Sequence, residues 1–258
     1  APGMLVLTPL LTGLVGTIFA RSMGSGIVPI LLATAAAMLI IRILKSSIAP
    51  AISAGVLPIS LNITSWYYPA SLLVGLILLA AISLVWPRFV PLPPVRTASD
   101  VADDVTEETP STYSWLPFFL VFLVGTAILA EATGWRLILF PPLIVIGFEM
   151  FAHADVCPWV KKPLLLPVAC TLSALIGVAL VTTFGGAPLA VISSAACGIL
   201  ILRLFDLHVP PALAVGLLPF IIPAVDYRFA ASVGIGTLTL TMLFLVWGRL
   251  RRMRLSPS

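Results

Sequence analysis

The chain has 258 residues, 60% of them hydrophobic and 9% charged, with a mean hydropathy of +1.16, which excludes an ordinary soluble domain. The net charge of +4 does not point to nucleic acid, because the basic residues stand at the ends of apolar segments rather than in one patch. Apolar blocks of bilayer length recur, and short strands of alternating polarity do not, so the reading is an all-α, polytopic helical membrane protein whose first partner is the lipid bilayer.

In chain order, residues 1–88 predict two long helices parted by "GSG" at Gly24 to Gly26, then a short segment from Pro50 to Pro58, then a long helix ending in "LVWPR". Residues 89–114 are rich in Pro, Ser, Thr and acid and predict an exposed linker. Residues 115–250 predict two apolar segments, Leu116 to Thr133 and Leu137 to Ala152, and the loop "HADVCPWVKK". Two further helices follow, parted by Gly185 and Gly186, then a short segment from Pro210 to Pro219 and a final long helix. Residues 251–258 form a basic tail, expected in the cytoplasm together with the linker.

The second half repeats the first. At an offset of about 161 residues, "PAISAGVLP" matches "PALAVGLLP", and roughly 20 of about 78 positions from Leu11 to Arg88 are identical without a gap. Gly16/Gly177, Arg42/Arg203, Pro50/Pro211, Gly55/Gly216, Pro58/Pro219 and Trp86/Trp247 fall in register, which compositional bias does not produce. The expectation is two tandem, parallel repeats with about 10 membrane segments. The second copy has two extra segments at its start, and the chain opens with "APGM" in mid-segment, so two further segments are expected ahead of the first copy.

Charge decides whether the short segments cross or re-enter. If they cross, one face collects Arg42, Lys45, Arg88, Arg96, Lys161, Lys162, Arg203, Arg249, Arg251, Arg252 and Arg254, leaving Arg21, Arg136 and Arg228 opposite. If they return to their own side, the basic residues split about evenly. The lopsided arrangement is the favoured one. Fourteen or so residues reach only about 21 Å of the roughly 30 Å hydrocarbon core, so extended chain completes each crossing. Pro210 and Pro211 suit a helix start, Pro219 and Pro223 its end, and Ala212, Ala214 and Gly216 a close helix contact.

Several segments resemble the HPP family of integral membrane proteins, named for a His-Pro-Pro motif. They are "PLIVIGFEMFAHADVCPWVKKPLLL", "SALIGV", "HVPPALAVGLLP" and the terminal Gly-containing helix, about residues 115 to 249. Val209 interrupts the motif, and Ser47 and Ala49 stand where the second copy has His208 and Pro210. Members in photosynthetic organisms are implicated in nitrite uptake, so the resemblance implies a transporter or channel for a small inorganic anion.

The expected path lies at the repeat interface, lined by His208, Arg203, Arg42, Pro210, Pro211, Ala212, Gly216, Pro50 and Gly55, with helix N-termini offering positive potential. For Arg203 and Arg42 a topological role competes with anion binding. For His208 a cap competes with proton coupling, and Asp226 with Arg228 reads best as loop decoration. Glu131, Glu149 and His153 are the expected proton relay, with snorkelling to the interface the rival reading for both carboxylates. Glu149 and His153 share a helix face at i, i+4, a metal-pair spacing, but no third ligand is in view, so no metal and no cofactor is expected.

No phosphate loop, nucleophile elbow or triad occurs, so no catalytic residue is assigned and the chain does not read as an enzyme. Cys157, Cys170 and Cys197 lack metal or redox spacing and read as structural thiols. The expected setting is a bacterial inner membrane or an organellar envelope, with homo-oligomers as a further partner class. A non-transporting membrane subunit or scaffold is the second reading, and an intramembrane enzyme on a lipid-like substrate the third.

Overall fold

A computed structural model of the chain describes residues 2–46, 48–89 and 113–255, with side chains from residue 3 to residue 251 within those ranges. Most of the predicted linker, Ser47 and the last residues of the basic tail lie outside the described residues. The described residues are helical, without strands. The chain divides into two compact units, Ala1–Ser111 and Thr112–Ser258. Five helical stretches are long and apolar enough to cross a membrane: Gly3–Met23, Tyr67–Arg88, Leu116–Thr133, Leu165–Phe184 and Arg228–Arg251. Large apolar side chains on these stretches are exposed, as lipid-facing helices require.

The first unit comprises α1 (Pro2–Met23), α2 (Ile27–Ile43), α3 (Ala51–Ser60) and α4 (Tyr67–Val85), ending in a 3-10 turn at Trp86–Arg88. Helix α1 is the hub, packing on α2, α3 and α4, while α2 also packs on α3. Its crossing with α3 is backbone against backbone. A Cβ on Gly16 would overlap the carbonyl of Gly55, and one on Gly55 would sit 3.2 Å from the carbonyl oxygen of Thr12. Thr12 Oγ1 donates to Ala51 O at 2.7 Å across the same contact, and Thr8 Oγ1 meets Ser46 Oγ at 2.9 Å.

Helix α3 runs through Pro58 to Ser60 rather than ending at the proline as the sequence predicts. Pro58 has no N–H for the carbonyl of Ala54 four residues back. Tyr68 Oη donates to that carbonyl at 2.7 Å instead. The second unit lacks this substitute, because Phe229 occupies the position 161 residues after Tyr68. There the helix stops at Leu217, and Pro219 falls in a 3-10 turn, Leu218–Phe220.

The second unit comprises α5 (Leu116–Thr133), α6 (Pro141–Ala152), α7 (Leu165–Phe184), α8 (Pro188–Leu204), α9 (Pro210–Leu217) and α10 (Arg228–Leu255). Here α7 is the hub for α8, α9 and α10, and α8 packs on α9. A Cβ on Gly177 would overlap the carbonyl of Gly216, and one on Gly216 would sit 3.3 Å from the carbonyl oxygen of Ser173. Ser194 Oγ donates to Gly216 O at 2.8 Å, tying α8 into the same crossing. Helix α10 continues to Leu255, into the stretch read as a tail.

The segment predicted over Leu137 to Ala152 is split. After α5 stops at Gly134, which has φ +72°, the chain folds inward through a 3-10 turn at Arg136–Leu139. Pro141 and Pro142 then start α6. Gly236 of α10 leaves room for the carbonyl of Ile138, with which any Cβ would collide. Every residue of α6 from Pro141 to Phe151 is buried. Edge-on ring contacts hold it: Trp115–Phe148 at 5.5 Å, Phe151–Phe244 at 5.7 Å and Phe151–Trp247 at 5.4 Å.

The loop after α6 staples one end of this unit. Asp155 takes a two-pronged contact from Arg251 of α10, Nη1 to Oδ1 at 3.1 Å and Nη2 to Oδ2 at 2.9 Å. Lys162 reaches Asp206, just beyond α8, with Nζ 2.8 Å from Oδ2. The C-terminal ends of α8 and α10 therefore lie at the same end of the unit. Residues 228 and 251 of α10 are about 35 Å apart at 1.5 Å per residue. The short α9 with its following turn thus runs from the stapled end of the unit toward the other, rather than returning.

Candidate functional site

The site grows from the way α8 ends. Leu207 N donates to Leu202 O at 2.9 Å and Asp206 N to Arg203 O at 3.1 Å, with Asp206 left-handed at φ +48°. The first unit ends α2 alike: Ser46 N to Ile41 O at 2.9 Å, Lys45 N to Arg42 O at 3.2 Å, and Lys45 at φ +48°. In the second unit Lys162 completes the cap, its Nζ donating to Phe205 O at 3.3 Å and Asp206 O at 3.2 Å. An ammonium at a helix C-terminus meets the negative end of the dipole. The hydrogen bond from Lys162, and then its charge, hold the Asp206 carboxyl below its ordinary value.

Beside this cap lies an open cleft of about 450 Å³, lined by Ile199, Leu202, Arg203, Asp206, Leu207, His208, Val209, Pro210 and Leu213. The structure thus brings three of the expected path residues, Arg203, His208 and Pro210, to one place. All three are exposed, over a floor made by buried Leu202, Leu207 and Val209. Asp206 stands with His208 and Arg203 in the sequence as one polar cluster; Lys162 was the member the sequence did not show, since nothing local reveals that residues 44 apart meet.

Of the other expected path residues, Gly216 and Gly55 lie in the helix crossings. Pro211 is half-buried, while Ala212 and Gly216 are buried on the side of α9 that meets α7 and α8. Gly55 is buried against α1, Pro50 is the exposed residue that precedes α3, and Arg42 is exposed in the last turn of α2. The start of α9 also offers few amide donors. Pro210 and Pro211 have none, and Ala212 N already donates to Val209 O at 3.0 Å. In α3, Ala51 N and Ile52 N are likewise engaged, with Ile48 O at 3.1 Å and Ala49 O at 3.0 Å. Positive potential at the corner therefore comes from side chains, Arg203 above all.

The expected relay residues separate. Glu149 and His153 are buried, with Oε2 3.7 Å from Nδ1, and the His153 ring lies edge-on to Phe148 at 5.9 Å. Glu149 Oε2 has no hydrogen bond. Buried Cys157 lies close by; burial first, and the Glu149 charge second, push its thiol up. Glu131 is exposed in the last turn of α5, whereas Phe119, near the start of α5, packs on Phe148 and Phe151. Twelve residues of helix place Glu131 about 18 Å from that contact. No group of three or more His, Cys, Asp or Glu able to hold a metal occurs among the described residues. All three cysteines are free thiols.

Comparison with known proteins finds no matching family model, no matching curated protein and no matching solved structure.

Proposed function

We propose that this chain is a multi-pass membrane transporter or channel for a small solute, taken to be a small inorganic anion such as nitrite. The observation that carries the reading is the corner where α8 ends and the short, proline-started α9 begins, with Arg203 and His208 exposed in one cleft. A short helix that runs through a unit with irregular chain at its ends is a common transporter device. The resemblance to the HPP family supplies the anion class. Tandem duplication is part of the proposal. It is supported by the glycine-on-glycine crossings of α1 with α3 and of α7 with α9, and by the matched helix ends at Lys45 and Asp206.

The test is nitrite flux into proteoliposomes, with and without an imposed proton gradient. Uptake above protein-free liposomes, reduced at least about tenfold by Arg203→Ala, is the expected result. Unchanged flux in Arg203→Ala and His208→Ala would move the site elsewhere.

One observation favours a second reading, a membrane subunit that docks a partner. Only 11% of the α4 span is buried, against 50% of the α10 span, and Gly75 has open space where Gly236 meets the Ile138 carbonyl. Absence of flux for any small anion, together with a stoichiometric partner on purification, would replace transport by this reading.

A further inference from the structure

The cleft beside α8 and α9 is bigger and less polar than a small inorganic anion needs. A volume of about 450 Å³ falls among sites that hold drug-sized molecules. Its lining mixes two chemistries, charged or polar Arg203, Asp206 and His208 with apolar Ile199 and Leu213 over the buried floor. Exposed Ile199, Leu200 and Leu204 continue the apolar wall along α8. Asp206 is neutralised by Lys162 at 2.8 Å, so the charge of the cleft is set by Arg203, with His208 beside it. A guanidinium presents two parallel donors to a phosphate group, and since the proline-blocked start of α9 adds almost no backbone donors, the phosphate is held by side chains.

We propose that this cleft binds an anionic phospholipid, its phosphate on Arg203 and His208 and the start of an acyl chain along Ile199 and Leu213. A phosphate group is shared by a lipid headgroup and by free phosphate; the apolar wall selects the lipid. The inference does not rest on transport, since a lipid seated here is held whether or not the chain moves an anion.

The experiment is native mass spectrometry of the full chain released from nanodiscs containing phosphatidylglycerol and phosphatidylcholine in equal amounts. Phosphatidylglycerol is expected to be retained at least about tenfold over phosphatidylcholine, and Arg203→Gln to cut that retention at least about fivefold. Leu213→Trp, which fills the cleft without touching its charge, is expected to do the same, and it decides the matter if Arg203→Gln loses its helical circular dichroism. Arg21→Gln, in the first unit, is the control and retains the lipid. Inorganic phosphate at about 10 mM is expected not to displace it. Equal retention of the two lipids, or no effect of Leu213→Trp, overturns the proposal. Displacement by phosphate overturns it too, by assigning the cleft to a free anion. Flux assays report separately, so lipid retention without nitrite uptake would sink the transport reading and leave this one standing.

Discussion

Tyr68 answers the carbonyl of Ala54 that Pro58 leaves without a helical partner, its hydroxyl 2.7 Å away. With that bond α3 runs on to Ser60, whereas α9, with Phe229 at the position equivalent to Tyr68, stops two residues before Pro219. Tyr68→Phe removes the donor and keeps the ring. It is expected to lower the stability of the first unit by about 1–2 kcal/mol, the usual cost of a carbonyl left without its bond. Thermal unfolding in detergent measures it; an unchanged midpoint would show that another group takes over.

Gly16 and Gly177 are required by the crossings they make. A methyl group at either would drive into a backbone carbonyl, Gly55 or Gly216, which cannot rotate away as a side chain can. Gly16→Ala and Gly177→Ala are each expected to cost about 1–3 kcal/mol. Gly125→Ala, where nothing lies within 4 Å, is expected to be neutral or stabilising by up to about 1 kcal/mol through helix propensity. Equal melting behaviour in all three variants would refute the assigned roles.

The Lys162–Asp206 pair gives a signed pH dependence. The Asp206 carboxyl is held below its ordinary value of 3.8 by the hydrogen bond and charge of Lys162. Its contribution is therefore fully present above that value and is lost as pH falls through the lower folded value. The difference in unfolding temperature between the natural protein and Lys162→Met is expected to be constant from neutral pH down to about 5 and to shrink below about 4. A difference that persists undiminished in acid would assign Lys162 to the Phe205 and Asp206 carbonyls alone.

Glu149 tests the relay. Its Oε2 has no hydrogen bond and stands 3.7 Å from His153 Nδ1, beyond hydrogen-bond reach. Glu149→Gln is expected to change stability by less than about 1 kcal/mol, not the 3–5 kcal/mol lost when a well-made buried pair is broken. In the flux assay the same variant is expected to remove the dependence on a proton gradient. A large loss of stability would make Glu149 structural instead.

The helices and their punctuation were legible because Pro, Gly and apolar run length are local signals. Pro210 and Pro211 do start α9, Gly134 does end α5, and the unbroken apolar run of α6 is buried on all sides. Which face of each helix is buried was not legible, since helices apolar all round carry no polar stripe to mark the outside. Ala212 and Gly216 read both as path residues and as a close helix contact, and Gly216, like Gly55, lies at a crossing. Spacing within one helix correctly paired Glu149 with His153. It placed Glu131 near the end of its segment, but that Glu131 lies about 18 Å from the Phe119–Phe148 contact depends on how α5 packs on α6.

The loop from His153 to Lys162 carries one consequence of its own. It clasps α10 through Asp155–Arg251 and α8 through Asp206, and both clasps are solvent-facing ion pairs at one end of the unit. The crossing of α7 with α9, by contrast, is made by backbone and small side chains, and neither helix carries a charged residue. Ionic strength therefore acts on this unit mainly at that end, where the clasps join separate elements, since the exposed Asp226–Arg228 pair at the other end links only near neighbours in the chain. At about 1 M salt the Debye length shrinks to about 3 Å, loosening the stapled end while the helix crossings, which hold no exposed charge, keep their grip.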